Sequence, residues 1–169
     1  MEIADTLRSA SELGRVLHEA GHTLVTVESC TGGGIAFAVT AVDGSSNWFE
    51  RAYVTYSNEA KSEMVSVESA LIEKFGAVSE PVARAMAEGG LRASGASCAV
   101  AATGIAGPQG GTVNKPVGTV CLAWSVRGQD DLFSSKVETR HYKGDRHAVR
   151  ARTVDHALNG MIHYLIHRR

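Results

Sequence analysis

The sequence has 169 residues, of which 44% are hydrophobic and 21% are charged, and its formal net charge is -1. This length suits one compact domain, and we expect residues 1–169 to form it. The charge balance argues against a nucleic-acid-binding protein, and no apolar stretch reaches the roughly 18 residues that cross a bilayer. The N-terminal segment carries acidic residues and lacks an apolar core, so we do not expect a secretory signal.

The cysteines are odd in number and form no CxxC motif. They are Cys30, Cys98 and Cys121. This pattern gives poor support to a disulfide framework or a structural zinc site, and no cofactor or metal is expected. We therefore predict a cytoplasmic protein with reduced thiols.

The first part of the chain alternates helical and strand patterns. Apolar residues at helical spacing predict a helix over about 4–19, which Gly21 would stop. The β-branched run 23–27 predicts a buried strand. An apolar helix at 35–41 and an aromatic strand at 48–56 follow.

The second part begins with three short helices and ends with one long helix. The short helices are predicted over 58–64, 69–75 and 79–94, with Asn58 and Ser79 as caps. Then come a small-residue strand at 98–102, a glycine-rich loop at 103–111, a strand pair at 117–126 and 132–142, and a C-terminal helix capped by Asp145. Alternating strands and helices with a late hairpin predict an α/β fold, a three-layer α/β/α sandwich around a mixed sheet.

Ser29 stands where a strand gives way to a helix through three consecutive glycines. Glycines permit a sharp turn and close approach to a ligand, and helix N-terminal amides can hold a phosphate or an oxyanion. A serine there is well placed as a nucleophile but needs a base. Taken alone, the pattern also suits a simple helix cap at Ser29 or Thr31, and that reading is the better one.

Lys61 is the candidate base. It falls in the first helical turn if Asn58 is the cap, where the positive dipole end and burial would both lower its pKa. A neutral lysine can accept the proton of a serine hydroxyl, and the nearby Tyr56 could relay or orient that proton. An exposed lysine on a short helix is the simpler alternative, and from this residue alone it is the stronger one.

The loop that starts at Thr103 carries four glycines in nine positions and follows a buried-looking strand. Loops at the carboxyl ends of strands line the ligand crevice of α/β sheets, so we expect this loop to face the Ser29 loop. Arg146 stands at a helix start, where its guanidinium could reach a ligand phosphate. Arg150 and Arg152 are interpreted as part of a solvated helix face.

Two further patterns compete with this interpretation. His18 and His22 match the HExxH string of zinc proteases, but Gly21 should end the helix between them, so we regard the match as chance. Cys30 adjoins Ser29 and is intrinsically the better nucleophile if ionised, so it stays open as a rival.

Six motifs then occur in order along nearly the whole chain. They are Val27-Glu28-Ser29-Cys30-Thr31-Gly32-Gly33, Val54-Thr55-Tyr56-Ser57-Asn58-Glu59-Ala60-Lys61, Gly76-Ala77-Val78-Ser79-Glu80, Thr103-Gly104-Ile105-Ala106-Gly107-Pro108, Lys115-Pro116-Val117-Gly118-Thr119 and Gly144-Asp145-Arg146. Together they closely resemble the nicotinamide-nucleotide amidohydrolase family, whose domain also forms the C-terminus of CinA proteins. Longer CinA proteins carry a further nucleotide-cleaving domain that this sequence does not match, and that activity is not carried over.

The resemblance implies that the protein deamidates nicotinamide mononucleotide to nicotinate mononucleotide and ammonia, a salvage step in NAD metabolism. It implies a metal-free mechanism with Ser29 as nucleophile, Lys61 as base and Tyr56 as assistant. It also implies a set of residues that bind the nucleotide or the oxyanion: Cys30, Thr31, Gly32, Gly33, Thr103, Gly104, Ile105, Ala106, Gly107 and Arg146.

Two alternatives to this function stay open. The chain could be a catalytically silent nucleotide-binding module linked to competence or DNA damage, because the glycine loops would serve it equally well. It could instead hydrolyse a different amide. The partner we expect is a small-molecule nucleotide, without nucleic acid or membrane, and a homo-oligomer is plausible.

Overall fold

The computed structural model describes residues 3–168 of the chain, which contain six α-helices and five β-strands. The helices are α1 (Ile3–Glu19), α2 (Gly34–Thr40), α3 (Asn58–Val65), α4 (Ser69–Phe75), α5 (Glu80–Arg92) and α6 (Arg146–His167). The strands are β1 (Leu24–Glu28), β2 (Phe49–Val54), β3 (Cys98–Gly104), β4 (Thr119–Arg127) and β5 (Phe133–His141).

The five strands form one mixed sheet in the order β2-β1-β3-β4-β5. Strand β1 pairs in parallel with both β2 and β3, while β4 runs antiparallel to β3 and β5 antiparallel to β4. The carboxyl ends of β1, β2 and β3 therefore meet at one edge of the sheet. In sheets of this kind, ligands bind beyond that edge.

Helices cover both faces of the sheet. Leu24, Leu122 and Trp124 pack with α1, α2 and α6 in one apolar cluster, while Val25 and Val27 pack with α3, α4 and α5 in the other. Successive strand residues point to opposite faces, so the buried strands carry apolar side chains on both sides. This arrangement confirms the predicted three-layer α/β/α sandwich.

The predicted elements are present, with shifts at their ends. The strand predicted to begin at 117 starts at Thr119, because Gly118 has φ +92 and a Cβ there would lie 2.0 Å from Tyr142 O. The prediction that Asn58 caps α3 was wrong: Ser57 is the cap, and its side chain accepts from Ala60 N. Asp145 caps α6 as predicted, through a bond from Ala148 N. Across residues 3–168, none of the helices combines the length and the apolarity needed to cross a membrane.

Candidate active site

Ser29 directly follows β1 and lies between the ends of two neighbouring strands. Its N–H donates to Ala102 O of β3 at 2.9 Å, and Thr55 N beyond β2 donates to Glu28 O at 2.8 Å. The residue is 8% exposed. Backbone pairing on both sides thus fixes the hydroxyl at the ligand-facing edge of the sheet.

Lys61 brings a nitrogen to that hydroxyl from a different layer of the fold. Its side chain turns back towards the start of α3 and is 1% exposed. Nζ lies 3.3 Å from Ser29 Oγ and also contacts the carbonyl oxygens of Thr55 at 3.0 Å, Ser57 at 3.3 Å and Tyr56 at 3.5 Å. Two residues separated by 32 positions are therefore within hydrogen-bonding reach.

Burial of Nζ favours the neutral form of the Lys61 amine. Burial lowers the pKa of Lys61, against smaller opposing effects of Cys30 and Glu59. A neutral amine has two N–H donors and one lone pair. The three carbonyl oxygens and Ser29 Oγ are all placed to accept from Nζ, and once the amine is neutral its lone pair can take the hydroxyl proton of Ser29.

Glu28 organises the turn that follows the nucleophile. This fully buried side chain accepts from Ile35 N at 2.9 Å and from Ala36 N at 2.8 Å, and Thr26 Oγ1 donates to it at 3.2 Å. The residue at the N-cap position of α2 is Gly33, with φ 89 and no side-chain bond. A carboxyl group from the preceding strand therefore supplies the acceptors that the first helical amides need.

The simple capping interpretation of Ser29 and Thr31 was wrong, since neither side chain caps α2. The expectation of an open helix N-terminus for an anion also needs correction, because Glu28 already occupies its first amides.

The turn nevertheless retains free donors. Gly32 N donates to Ser29 O and Gly34 N to Thr31 O. Within residues 3–168, the N–H groups of Thr31 and Gly33 have no backbone acceptor, whereas the Cys30 N–H bonds to its own thiol.

Cys30 faces away from the solvent and into the core. It is 5% exposed, and a Cβ placed on Gly104 would lie 3.1 Å from its Sγ. Burial raises the pKa of the Cys30 thiol to about 12. A thiol that stays protonated is a poor nucleophile, so the geometry favours Ser29 over its neighbour.

Tyr56 and Arg146 meet at the rim of the site. Arg146 Nη2 donates to Tyr56 Oη at 3.0 Å and Nη1 donates to Gly107 O at 2.9 Å. Tyr56 as a whole is 60% exposed, and it is the Tyr56 carbonyl that contacts Lys61 Nζ. The structure therefore places the Tyr56 side chain on the guanidinium rather than on the base.

The glycine-rich loop does lie beside the Ser29 turn, but it starts later than predicted. Thr103 and Gly104 still belong to β3, paired with Cys121 and Val120 of β4. Thr103 is 1% exposed, and its hydroxyl donates to Ala77 O at 2.9 Å. The loop proper begins at residue 105, where Ile105 is half-buried and the next two residues are buried.

The interpretation of Arg150 as a solvated side chain was wrong. It is half-buried, and its Nη2 donates to Thr31 O at 2.8 Å. Arg152 does lie on the exposed face, where it donates to Lys143 O. Helix α6 thus contacts three loops of the site, through Arg146 and Arg150.

His18 and His22 do not share a continuous helix, because α1 ends at Glu19 and Gly21 has φ +65. His22 Nδ1 lies 3.0 Å from Ser97 Oγ. The HExxH string therefore lacks the geometry of a zinc-protease helix.

Sequence reasoning missed Glu28 and Arg150 as parts of the site. The signal for Glu28 was a carboxyl residue at the end of an otherwise uncharged, buried strand, since such groups are rarely buried without partners. The sequence signal for Arg150 was its spacing of four residues from Arg146, which places both side chains on one helix face.

The fold and site define a small α/β protein with a buried serine–lysine pair at the carboxyl edge of its parallel strands. The chain belongs to the CinA C-terminal domain family, which it matches over residues 6–165. The resemblance inferred from the six motifs is thereby confirmed.

Two relatives illustrate the range of the family. The chain is 50% identical over 153 residues to a nicotinamide-nucleotide amidohydrolase PncC of Pseudomonas putida, which covers 90% of this chain and 92% of the relative. It is 52% identical over 158 residues to a putative competence-damage inducible protein of Symbiobacterium thermophilum, covering 91% of this chain but only 37% of that relative.

Solved structures share the whole fold. A competence/damage inducible protein of Agrobacterium tumefaciens superposes with a TM-score of 0.86 at 40% identity, covering 94% of both chains. A CinA superfamily protein of Klebsiella pneumoniae superposes with a TM-score of 0.89 at 35% identity, covering 96% of this chain and 98% of that one.

Proposed function

We propose that the protein hydrolyses the carboxamide of nicotinamide mononucleotide, giving nicotinate mononucleotide and ammonia. Relatives named nicotinamide-nucleotide amidohydrolase match at 50% and 43% identity, and the chain covers 92% and 93% of their lengths. The observation that carries the chemistry is the 3.3 Å separation of Lys61 Nζ from Ser29 Oγ, between two buried side chains.

In the first step, Ser29 Oγ attacks the carboxamide carbon while neutral Lys61 accepts the hydroxyl proton. The C–N bond of the tetrahedral intermediate then breaks. Lys61 returns its proton to the departing nitrogen, so ammonia leaves and an acyl ester remains on the serine. In the second step, water loses a proton to Lys61 and attacks that ester. The acid is released, and the serine regains its proton from Lys61.

The developing oxyanion needs preorganised donors. The N–H groups of Thr31 and Gly33 are the candidates within the Ser29 turn, because the amides of Gly32 and Gly34 are already bonded within it. Their fixed position relative to the nucleophile supports a role in transition-state binding.

The nucleotide would be held by the turn after β1 and by the segment 103–107. Arg146 is the cation of the rim, and it is exposed. Its bonds to Tyr56 Oη and Gly107 O would keep the guanidinium in place for the substrate phosphate. In this arrangement Tyr56 assists by orienting Arg146 as well as through its carbonyl contact with Lys61.

We place the reaction in the cytoplasm. The support is that Cys30, Cys98 and Cys121 are all buried free thiols, as expected in a reducing compartment.

Ammonia release from nicotinamide mononucleotide tests the proposal, with purified wild type and Ser29→Ala compared. We expect release by the wild type and loss of it in the variant, with nucleotide binding retained. Release by the variant at the wild-type rate would remove Ser29 as nucleophile. If neither protein releases ammonia from this compound but other carboxamides are hydrolysed, the substrate is wrong; binding without turnover of any amide would favour the silent module.

A further inference from the structure

A groove lies on the far side of the Ser29 turn from Lys61. It has a volume of about 250 Å³ and runs between α1, α2 and α6. Its apolar walls include Leu7, Phe37 and Val154, and neither Ser29 nor Lys61 lines it. Phe37 is 74% exposed, an unusual position for an aromatic ring of its size. The groove is thus a separate feature from the proposed catalytic pair.

One wall of the groove carries an arginine that has no counter-ion among residues 3–168. Arg150 lines the groove together with Thr31 and His147, and none of the lining residues in the described part of the chain is acidic. Only Nη2 of its guanidinium has a bonding partner within residues 3–168, and Nε is buried without one. The Thr31 hydroxyl is also buried without a partner. With a single bonded nitrogen and an unpartnered Nε, this guanidinium has unused donor capacity for an anion.

We propose that this groove is a second, non-catalytic site that binds a small aromatic carboxylate. The ring would pack against Phe37 and Val154, and the carboxylate would accept from Arg150, for which a planar guanidinium is well suited. Ligand pockets commonly have about 300–1,000 Å³, so a groove of this size takes one or two fused rings rather than a whole dinucleotide.

The same guanidinium connects the groove with the nucleophile turn. Arg150 Nη2 donates to Thr31 O, two residues beyond Ser29, and a Cβ on Gly32 would lie 3.6 Å from that nitrogen. A carboxylate bound to Arg150 would compete with or reorient this bond. Occupancy of the groove is therefore positioned to affect the turn, without contact with Lys61.

Binding of 2-naphthoate and of its neutral counterpart methyl 2-naphthyl ketone, which has no amide bond to hydrolyse, tests the proposal. We expect two-dimensional NMR to show shifts at Leu7, Phe37 and Val154, and calorimetry to give an affinity at least about tenfold higher for the carboxylate. Arg150→Lys should reduce the preference for the carboxylate, and Phe37→Ala should weaken the binding of both compounds. Arg152 lies on the exposed face of the same helix, so Arg152→Ala should bind them like the wild type. Phe37 is exposed, so its variant is expected to fold normally.

Ser29→Ala should bind 2-naphthoate like the wild type, which separates this site from the proposed active site and its substrate. Equal affinity for the two compounds would overturn the proposal. NMR shifts centred on Lys61 would also overturn it. The same holds if neither Arg150→Lys nor Phe37→Ala changes the binding affinity. A change of oligomeric state in Phe37→Ala, with no binding by the wild type, would instead assign the groove to a second copy of the chain.

Discussion

Two glycine-rich segments end neighbouring parallel strands, and they are built differently. The turn after β1 is held by two side chains, the buried Glu28 at its helical end and the half-buried Arg150 at its middle. The segment after β3 is held mainly by its own backbone, with bonds from Gly118 N to Ile105 O and from Thr112 N to Lys115 O.

Exposure separates the two segments as well. Ser29 to Thr31 are all buried, whereas residues 108–114 are exposed and Val113 is 99% exposed. The side chains of Glu28 and Arg150 fix the turn after β1, and the turn in turn holds the Ser29 hydroxyl in one place. An exposed backbone loop can adapt to a substrate. We infer that the first segment sets the chemistry and the second contributes to substrate recognition.

The largest expected effect comes from Lys61→Met. This change removes the base that faces the buried Ser29 turn and keeps an apolar side chain of similar length. We expect kcat to fall by about 10²–10⁴ because general-base assistance is lost. The rate of ammonia release at saturating substrate measures this fall in kcat. Lys74→Met, at an exposed lysine of α4, is the matched control, and its kcat should stay within about twofold of the wild type. A normal kcat for Lys61→Met would discard the base assignment.

The next effect concerns stability. Glu28→Ala leaves the first amides of α2 buried without acceptors, so the free energy of unfolding should fall by about 2–4 kcal/mol. Lys115→Ala, which removes a bond from Nζ to Phe75 O at 2.8 Å, should cost about 0.5–1 kcal/mol. Urea denaturation of both variants checks the difference. Equal losses would show that the two segments are held equally firmly.

The pH dependence sharpens the role of the buried lysine. Burial lowers the pKa of Lys61 below its ordinary value of 10.5, and only the neutral amine acts as base. The rate should therefore rise about tenfold per pH unit until the pH reaches that lowered pKa, and then level off. The unfolded chain holds this proton up to higher pH, so the contribution of Lys61 to stability should also grow as pH rises towards 10.5. A rate that falls as the pH rises towards 10.5 would contradict this.

The smallest effect is expected at the residue next to the nucleophile. Cys30→Ala should keep kcat within about threefold of the wild type, under 1 kcal/mol in the barrier, because its thiol is buried and protonated. Mass spectrometry after iodoacetamide treatment of the native protein should find Cys30 unmodified. Loss of ammonia release in Cys30→Ala, with Ser29→Ala still active, would reverse the assignment of the nucleophile.

The sequence predicted the layered fold well because its signals are local. Apolar periodicity, the β-branched run before Ser29 and the cap at Asp145 each act within a few residues. Errors fell at element ends, such as the cap at Ser57 and the start of β4, where a neighbouring strand or loop decides the boundary.

By itself, the sequence determined the order of strands and helices, the family and the pair of residues proposed for catalysis. Only the tertiary structure decided that Lys61 Nζ reaches Ser29 Oγ, that Cys30 faces the core and that Glu28 and Arg150 hold the turn. These contacts join residues from different layers of the fold. Propensity and spacing report local conformation, whereas the distance between two side chains far apart in the chain is fixed only by how the layers pack.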